Sequence, residues 1–466
     1  MTIETNESPC RWAWTIVWFV AIAGWALPAL AEEDALDGAC KGEDSDQYQI
    51  LDIEVRGLVR TREFVIHREL TVEEGDTVGC PSVLESVRRL QNTNLFRTVD
   101  YALIRSEADE GASRAEDDRE DDEREAAREV RLVIEVDEKW TALPNFQFSS
   151  GGGALQVLVG ANETNLFGRY LAIGGHFEHV QGANSLFGWF ENPRTFDERL
   201  KTRLELGTQN RVYYLYDDAG DRDGGYFRRR LTFGGSARHE WRWWLHTEAG
   251  LRFERDRFSQ ELIPEDQRRE DDDAAIPDAT DALVGRLALS FGRINQLEYL
   301  QDGTDVTLSV EHANSAVGST HNLFRLGLSA THFEALPLKS NLAVRFQAGL
   351  SQVEALHHHK FIGGLDTLRG FPYDRFSGEH HWSLNLEYRI PSIDHPWLAI
   401  QHVAFVDAAH VGPKPADIFG LSGASTGLGL RILVPKVQNL IVRLDYALPL
   451  VGEVTNPWNV AGAQFF

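Results

Sequence analysis

The segment FIGGLDTLRGFPYDRF, residues 361–376, decides how the rest of the chain is interpreted. It places Arg369 directly between Leu368 and the pair Gly370-Phe371. The strands predicted around it alternate apolar with polar residues, and an arginine in such a setting is unusual. Because an unpaired charge in a protein interior is very costly, this arginine needs carboxylate partners.

The two strands predicted after this segment supply those carboxylates. Glu387 lies on the first strand and Asp407 on the second. A guanidinium fork binds two carboxylates in a defined geometry, so we expect both acids to hold Arg369. Glycines let the segment enter an enclosed space without Cβ clashes, and Phe371 is expected to pack against the wall. These glycines are Gly363, Gly364 and Gly370.

Residues 140–466 have the pattern of a membrane-spanning β-barrel. Segments of about ten residues alternate apolar with polar or small residues, and Gly, Asn and Asp turns separate them. A lipid-facing side, a polar lumen and closure of the sheet account for this pattern. At about 20 residues for each strand and its loop, we expect about 16 antiparallel strands. A large soluble array of β-sandwiches is the alternative.

Aromatic residues near the ends of these segments predict belts at the two membrane interfaces, where Trp and Tyr are enriched. The residues concerned are Trp189, Tyr213, Tyr214, Tyr216, Trp241, Trp243 and Trp244.

Residues 46–139 predict a separate small α+β domain with the order β-α-α-β-β. Its strands follow a period of two and its helices follow helical spacing. The strands are expected at 48–55, 96–103 and 130–136, and the helices at 61–70 and from Pro81 onward.

An acidic run interrupts this domain between its last two strands. Residues 107–129 are dominated by Glu, Asp and Arg and contain no large apolar residue. They cannot bury a core, so we expect a disordered hairpin extension. An acidic tail that acts on a partner is the alternative.

The N-terminus has the pattern of an export signal. An apolar run over residues 12–30 follows Arg11 and ends in the small-x-small sequence Ala29-Leu30-Ala31. Residues 1–31 are therefore predicted to be a signal peptide, and residues 32–45 a linker. A retained membrane anchor is the alternative.

The three cysteines fit an exported protein. Cys10 leaves with the signal, whereas Cys40 and Cys80 remain as a pair in an oxidising compartment. We expect a disulfide between Cys40 and Cys80, with two unpaired thiols as the alternative.

Composition and motifs exclude several functions. A formal net charge of −25 argues against nucleic-acid binding. The sequence has no phosphate loop and no zinc-protease motif, so we expect neither an enzyme nor a cofactor. The run His357-His358-His359 could bind a metal, but its side chains point in alternate directions. We therefore expect a polar loop end and no metal site.

The motifs taken in order resemble those of the BamA/TamA superfamily of outer-membrane assembly proteins (surface-antigen type). The unit at 46–139 looks like a single POTRA domain, and residues 363–371 match the family's loop-six signature. The sequence NLFGR at 165–169 resembles an early barrel turn, although Tyr170 replaces a glycine of the family. Further matches lie at 90–96, 387–389, 405–407, 427–435 and 443–449.

This resemblance implies a position for Arg369 and a way of working. In the family, the loop-six arginine folds back into the barrel and bonds acids of the inner wall, which correspond to Glu387 and Asp407 here. Stabilisation alone, without a part in the activity, is the alternative for this arginine.

The family's proposed chemistry is strand templating at the seam between the first and last barrel strands. These strands are expected at about 142–150 and 460–466, with small residues nearby at 151–153 and 461–462 that weaken the closure. Ordinary tight closure is the alternative. The seam residues that we single out are Phe146, Phe148, Gly462 and Phe466.

The resemblance thus implies an assembly or insertion factor in the outer membrane of a Gram-negative-type bacterium, with its N-terminal domain in the periplasm. Its expected partners are unfolded outer-membrane or secreted proteins, periplasmic chaperones, and the lipid bilayer with lipopolysaccharide, but no nucleic acid. The alternative is a two-partner-type secretion pore for a dedicated substrate protein. Secretion pores of that type usually carry two POTRA units and a plug helix, so a single unit favours assembly.

Overall fold

The structure is a computed structural model. It describes residues 47–105, 127–217, 221–265, 276–297, 300–353, 356–364, 367–395, 397–434, 441–453 and 456–462. The predicted signal peptide, the predicted linker, Cys40, Phe466 and most of the acidic run lie outside these residues. The chain divides into two compact units, and the second unit combines Val59–Arg68, Gln91–Arg97 and Glu138–Phe466.

The described residues before the barrel, 47–105 and 127–138, fold into four strands and two helices. Four strands form one sheet in the order β2-β1-β4-β3, in which β1 pairs parallel with β4 and antiparallel with β2. None of the described helices is long and apolar enough to cross a membrane. The elements are β1 (Gln47–Arg56), α1 (Glu63–Glu69), β2 (Thr77–Gly79), α2 (Cys80–Asn92), β3 (Phe96–Arg105) and β4 (Arg128–Glu138).

Strand β2 is absent from the predicted order β-α-α-β-β, and the observed order is β-α-β-α-β-β. It has only three residues, and Val78 is its one large apolar residue, so no period-two pattern could reveal it. Pairing with the start of β1, through Gln47↔Gly79 and Gln49↔Thr77, supplies the hydrogen bonds that fix it. A short strand of this kind depends on its neighbour rather than on its own sequence.

Buried apolar residues of the sheet and of α2 form the core of the first unit. The period-two and helical patterns place them on the inward faces. Ile50, Val83, Leu90, Leu132 and Ile134 are all 0 % exposed.

Two further features of the first unit bear on the sequence predictions. Strand β3 lies at the edge of the described sheet, with β4 as its neighbour. Cys80 is disulfide-bonded, and its partner lies outside the described residues. The assignment of that partner as Cys40 stays a prediction.

The second unit contains a closed barrel of sixteen antiparallel strands, so the prediction of an antiparallel barrel of about this size is confirmed. The strands are β5 (Ala142–Gly151), β6 (Ala154–Leu166), β7 (Leu171–Val180), β8 (Ala183–Asn192), β9 (Leu200–Tyr216), β10 (Arg222–Arg242), β11 (Leu245–Ser259), β12 (Thr280–Leu297), β13 (Leu300–Ala313), β14 (Leu323–Leu336), β15 (Ser340–Val353), β18 (His380–His395), β19 (Leu398–Gly412), β20 (Gly423–Leu433), β21 (Ile441–Val451) and β22 (Trp458–Ala461).

A separate two-stranded hairpin lies in the loop between β15 and β18. It is formed by β16 (Lys360–Ile362) and β17 (Phe376–Gly378). The strands β15 and β18 are the eleventh and twelfth of the barrel. The loop between them carries Arg369 and its neighbours Leu368, Gly370 and Phe371.

The barrel strands alternate between a polar inner face and an apolar outer face. On β21, Arg443 and Asp445 are buried, whereas Val442, Leu444 and Tyr446 are about 40 % exposed on the other face. Full closure leaves buried charges facing a lumen and apolar side chains facing outward, as a membrane-spanning barrel requires.

The predicted aromatic belt is only partly present. Trp241, Trp243 and Trp244 are exposed at the turn between β10 and β11. Tyr213 and Tyr216 of β9 instead contact the loop between β15 and β18. The Tyr213 ring lies 4.5 Å from the ring of Phe361, and the Tyr216 hydroxyl donates to a loop carbonyl. Their position near a strand end did not reveal which face they occupy.

The carboxylate of Glu138, at the end of β4, fixes the chain that leads into α1. Its oxygens accept the backbone N–H groups of Val59, Arg60 and Thr61 at 3.1, 3.0 and 2.8 Å. Partial burial alone would raise the pKa of Glu138, but the N–H groups of Thr61, Val59 and Arg60 outweigh it and lower the pKa. The charged carboxylate therefore stabilises this segment.

We expect Glu138→Ala to speed hydrogen exchange at the amides of Val59, Arg60 and Thr61 by roughly 5- to 30-fold. The reason is that losing hydrogen bonds to a charged acceptor costs about 1–2 kcal/mol. Hydrogen–deuterium exchange on the detergent-solubilised protein measures this. Glu135→Ala, at an exposed position of the same strand, is the matched control and should leave these amides unchanged.

The same contact predicts a pH dependence. The pKa of Glu138 in the folded protein lies below its usual value of 4.5. The carboxylate therefore stabilises this segment fully at pH values above 4.5, and this stabilisation is lost as the pH falls through the lowered pKa. Exchange of the three amides, corrected for intrinsic rates, should accelerate only in acid. An equal acceleration in Glu138→Ala would contradict this assignment.

Candidate functional site: the lumenal arginine network and the barrel seam

The loop between β15 and β18 is anchored by buried apolar contacts. Leu368 and Phe371, on either side of Arg369 and Gly370, form one core cluster with Ile362 of the loop and Ala409 of β19. Leu368 is 0 % and Phe371 is 1 % exposed. The loop tip therefore packs against the barrel wall, and this packing fixes the backbone from which Arg369 extends.

The Arg369 guanidinium is completely buried among carboxylates. Its Nε and Nη2 donate to the two oxygens of Asp407 at 2.7 and 2.9 Å, and its Nη1 donates to Glu387 at 2.6 Å. The structure thus brings together the three residues that the sequence singled out. The fork geometry makes the bond to Asp407 bidentate, which sets the orientation of the arginine as well as its charge partner.

A third carboxylate, that of Asp445 on β21, completes the set and was not predicted as a partner. Its Oδ2 lies 3.2 Å from Nη1 of Arg369. The residue was quoted only as part of a family motif. The signal that could have found it is its position: an acid at an inward-facing position of a strand close to the one that carries Asp407.

Three arginines of the wall share these carboxylates. Glu387 accepts from Arg389 at 2.8 Å and from Arg431 at 3.0 Å. Asp445 accepts from Arg431 and has Arg443 Nε at 3.5 Å. Glu387 and Asp445 each contact more than one guanidinium, and Asp407 bonds Arg369 alone among the described arginines. The four arginines and three acids therefore form one network across β18, β19, β20 and β21.

An aromatic ring and an amide complete the surroundings of Arg369. The Phe405 ring lies under the guanidinium, with its centroid 3.6 Å from Cζ, a cation–π geometry. Asn385 donates from Nδ2 to Oδ1 of Asp407 and to the carbonyl of Thr367, both at 2.8 Å. Asn385 thereby couples the acid that holds the arginine to the loop backbone just before it.

The close packing of the network explains why the residue at position 429, in the sequence GLGLR at 427–431, is glycine. A Cβ built on Gly429 would lie 2.1 Å from Oδ1 of Asp445 and 2.9 Å from Nη1 of Arg431. Neither atom is free to move, because each is held by the other and by further ion pairs. Glycine at this position therefore makes room for the carboxylate.

Within the part of the chain that the structure describes, the seam between the first and last strands is the shortest strand pairing of the barrel. Among the described residues, β22 pairs with β5 through Val460↔Ser150 and Ala461↔Ser149, whereas β5 and β6 share ten pairs. Gly462 adds one further bond by donating its N–H to the carbonyl of Phe148 at 2.8 Å. Of the predicted seam residues, Phe148 and Gly462 lie at this contact, and Phe146 lies farther along β5 with 64 % exposure.

The arginine-bearing loop contacts the chain on both sides of the seam. Tyr373 donates its N–H to the carbonyl of Gly152, in the turn after β5, at 2.8 Å. Asn456, just before β22, donates to the carbonyl of Gly370 at 3.2 Å. A Cβ on Gly152 would lie 2.4 Å from the Phe371 carbonyl oxygen, so the loop requires glycine there. The loop thus bridges one end of the seam.

The turn at 165–170 forms its own hydrogen-bonded unit. Asn165 is almost fully buried, accepts the N–H of Tyr170 at 2.8 Å and donates to the Thr61 hydroxyl at 2.9 Å. Tyr170, which stands where the family has glycine, adopts φ +57°. A tyrosine at this φ is strained, because side chains other than glycine rarely adopt the left-handed region. The hydrogen bond from its N–H to Asn165 helps to hold it there.

Replacing Arg369 should be more damaging than replacing another arginine of the same loop. Arg369→Ala removes the guanidinium that binds both oxygens of the buried Asp407. We expect a loss of about 3–5 kcal/mol, as for a buried ion pair that loses one partner. Thermal unfolding and heat-modifiability on gels measure the barrel, and limited proteolysis measures the loop. Arg375→Ala is the matched control, since that guanidinium lies over the rings of Tyr216 and Phe376. Equal behaviour of the two variants would refute the role assigned to the network.

Gly429→Ala should destabilise the barrel by roughly 1–3 kcal/mol, because the added methyl displaces the Asp445 carboxylate from its arginines. Gly188→Ala is the control: it lies on β8, where the nearest atom to a built Cβ is 3.7 Å away. Thermal unfolding of the two variants in the same detergent makes the comparison. If the Gly429→Ala barrel is as stable as the control, the side chains of the network rearrange around the added methyl group without loss of stability, which contradicts the prediction.

Comparisons with known proteins support the same architecture. The search of curated proteins gave no significant match. Similar solved structures include BamA from Haemophilus ducreyi lacking POTRA domains 1–3 (15 % identity, 89 % of this chain and 84 % of that chain, TM-score 0.55). They also include CdiB from Acinetobacter baumannii (12 %, 89 % and 73 %, TM-score 0.58) and CdiB from Escherichia coli (12 %, 99 % and 100 %, TM-score 0.52). At these identities the likeness shows the fold.

The family model that matches covers more than half of the chain. It describes the Omp85 superfamily domain and matches residues 165–465, which include the turn at 165–170, the arginine network and the last strand. The resemblance drawn from the motifs is thereby confirmed at the level of the family, and the chain belongs to the Omp85 superfamily.

Proposed function

We propose that this protein inserts or assembles β-barrel proteins in the outer membrane by offering the seam between β5 and β22 to an incoming strand. Members of the superfamily are non-enzymatic transporters or assembly factors, and a barrel of this family belongs to the outer membrane. The observation that carries the proposal is the short pairing at the seam. Two residue pairs join β5 to the described part of β22.

The energetics of strand pairing in lipid explain why a short seam matters. A backbone N–H or C=O without a partner costs several kcal/mol in the hydrocarbon region, so an incompletely paired strand edge binds another strand strongly. The seam therefore binds a substrate strand at little cost, because few hydrogen bonds between its described residues must be broken first. Folding of the substrate supplies the free energy, and no nucleotide or cofactor takes part.

The arginine network supports this mechanism by holding one end of the seam. Arg369 fixes the loop, and the loop contacts Gly152 on one side of the seam and Asn456 on the other. Opening then takes place at the other end, toward the start of β5, while the barrel stays closed at the loop. This assigns Arg369 a positioning role in the activity in addition to its stabilising one.

The partners follow from the proposed activity. The substrates are unfolded outer-membrane or secreted proteins, delivered with or without periplasmic chaperones, and the surroundings are the lipid bilayer and lipopolysaccharide. The N-terminal domain lies in the periplasm, where the edge strand β3 offers a second place for an extended segment to pair. Under this proposal the protein is not an enzyme.

A secretion pore for one dedicated substrate protein is the second candidate. The observation that favours it is that the fold matches CdiB over as much of the chain as it matches BamA. A pore of this kind passes its substrate through the lumen, so the loop that carries Arg369 would have to leave. The lateral mechanism leaves that loop in place.

A disulfide across the seam tests the lateral mechanism. The double variant Ser149→Cys with Ala461→Cys places two cysteines opposite each other in the observed register. We expect it to block the assembly of new barrels when the disulfide is formed and to support assembly again when the disulfide is reduced. The double variant Ser329→Cys with Gln347→Cys is the matched control, because it joins β14 to β15, which do not form the seam. Insertion of a substrate barrel into proteoliposomes that contain each variant is the measurement.

Depletion of the protein separates the two candidates. Loss of several barrels from the outer-membrane proteome supports assembly. Loss of a single secreted protein while all barrels persist supports the secretion pore and overturns the proposal. Full activity of the oxidised seam variant would overturn the lateral mechanism even if barrels are lost on depletion.

A further inference from the structure

A cluster of buried histidines lies at the start of the same loop, apart from the arginine network. His357 and His358 form a short 3-10 turn with Leu356 after β15, and His321 comes from the loop between β13 and β14. All three are at least nine-tenths buried. Each offers one ligand nitrogen, and these nitrogens lie within 4.8 Å of one another.

The sequence predicts no metal site for a different set, His357, His358 and His359. On a strand or loop, three consecutive side chains point in alternate directions, which keeps three ligands apart. The 3-10 turn instead brings the first two rings together, with centroids 4.3 Å apart, and His321 replaces the third. His359 points elsewhere, with Nε2 3.9 Å from the Glu379 carboxylate.

The geometry points to a transition-metal site formed by His321, His357 and His358, with Zn²⁺ the ion of the best-fitting chemistry. Imidazole nitrogens suit Zn²⁺, Cu²⁺ and Ni²⁺, and three histidines with one open position are a common zinc arrangement. The Nε2 atoms of His321 and His358 are 2.8 Å apart. Two ligands of a tetrahedral zinc ion stand roughly 3.3 Å apart, so a shift of about half an ångström admits the ion.

The surroundings orient His357 as a ligand. Its Nε2 lies 3.4 Å from Oδ2 of Asp256 and 3.3 Å from the Thr280 hydroxyl, so that nitrogen has polar partners. Its Nδ1 is buried without a hydrogen-bond partner among the described residues. A carboxylate on one imidazole nitrogen and a metal on the other is the usual arrangement of a ligating histidine.

Asp256 is fixed in that orienting position by Arg230. The guanidinium binds both oxygens of Asp256 at 2.7 Å and reaches Glu254 at 3.0 Å. Glu254 and Asp256 also form, with His358, a second group of ligand atoms within the same spacing. These two carboxylates offset the positive charge that Arg230 and the neighbouring arginines Arg228 and Arg325 place beside the cluster.

The backbone of the histidine turn is held by two arginines of the wall. Arg228 of β10 donates to the carbonyl of His357 at 3.3 Å, and Arg325 of β14 donates to the carbonyl of His358 at 2.9 Å. The histidines are therefore placed before any ion arrives. An ion there would join the start of the arginine-bearing loop to the hairpin of β13 and β14, a second anchor independent of Arg369.

Zinc binding by the purified full-length barrel tests the site. The protein, without a polyhistidine tag and treated with chelator, is titrated with ZnCl₂ in detergent and followed by calorimetry. We expect one ion per chain, and we expect His321→Asn, His357→Asn and His358→Asn each to weaken binding by roughly 10- to 100-fold or more. His359→Asn, the adjacent histidine outside the cluster, should bind as the unaltered protein does.

Two further measurements make every outcome decisive. Heat-modifiability shows whether each variant has a folded barrel, and CoCl₂ reports coordination in the unaltered protein through the visible spectrum of a tetrahedral ion. Absence of bound zinc and of that spectrum in the unaltered protein overturns the site, and the cluster is then a hydrogen-bonded histidine group only. Binding that survives removal of all three histidines places the metal elsewhere and overturns it equally.

Discussion

The bidentate bond between Arg369 and Asp407 is the interaction on which the loop, the lumen and one end of the seam depend. Both groups are 0 % exposed, and Asp407 without the arginine would be a buried charge that has lost its ion pair. Glu387 and Asp445 add two further carboxylates from neighbouring parts of the wall. These two acids also pair with wall arginines, whereas the ion pair of Asp407 comes from the loop, so the loop and the wall require each other.

This mutual dependence sets the geometry of four consecutive strands. The acids lie on β18, β19 and β21, and the arginine between them on β20, Arg431, bonds two of the three. Any change of register by one residue would turn these charged side chains toward lipid. The network therefore fixes the register of this part of the barrel as firmly as its hydrogen bonds do, and the loop can lie in only one place.

The parts of this arrangement that follow from local pattern could be predicted from sequence. Period-two alternation gave an antiparallel barrel of about the observed strand number, and the spacing of Arg369, Glu387 and Asp407 gave three members of the network. Asp445 was missed because its part depends on which strands lie side by side once the barrel closes. Strand β2 was missed because three residues carry no period.

Side-chain direction at the loops could not be predicted for a related reason. Tyr213 and Tyr216 fit an interfacial belt by composition, yet both face the loop. The three consecutive histidines fit a polar loop end, yet a 3-10 turn buries two of them beside His321 from another hairpin. In each case the deciding neighbour is far away in sequence, and only the closed barrel brings it near.

The loop is held at two points by bonds of opposite polarity, and this difference determines which buried group each release would leave without its partner. At its start, wall arginines donate to the loop carbonyls of His357 and His358. At its tip, the loop's own arginine donates to wall carboxylates. Release of the tip would remove the guanidinium that binds both oxygens of Asp407, whereas release of the start would leave the buried guanidinium of Arg228 without the His357 carbonyl. Because a buried charge that loses a partner is costly, both attachments hold the loop in place.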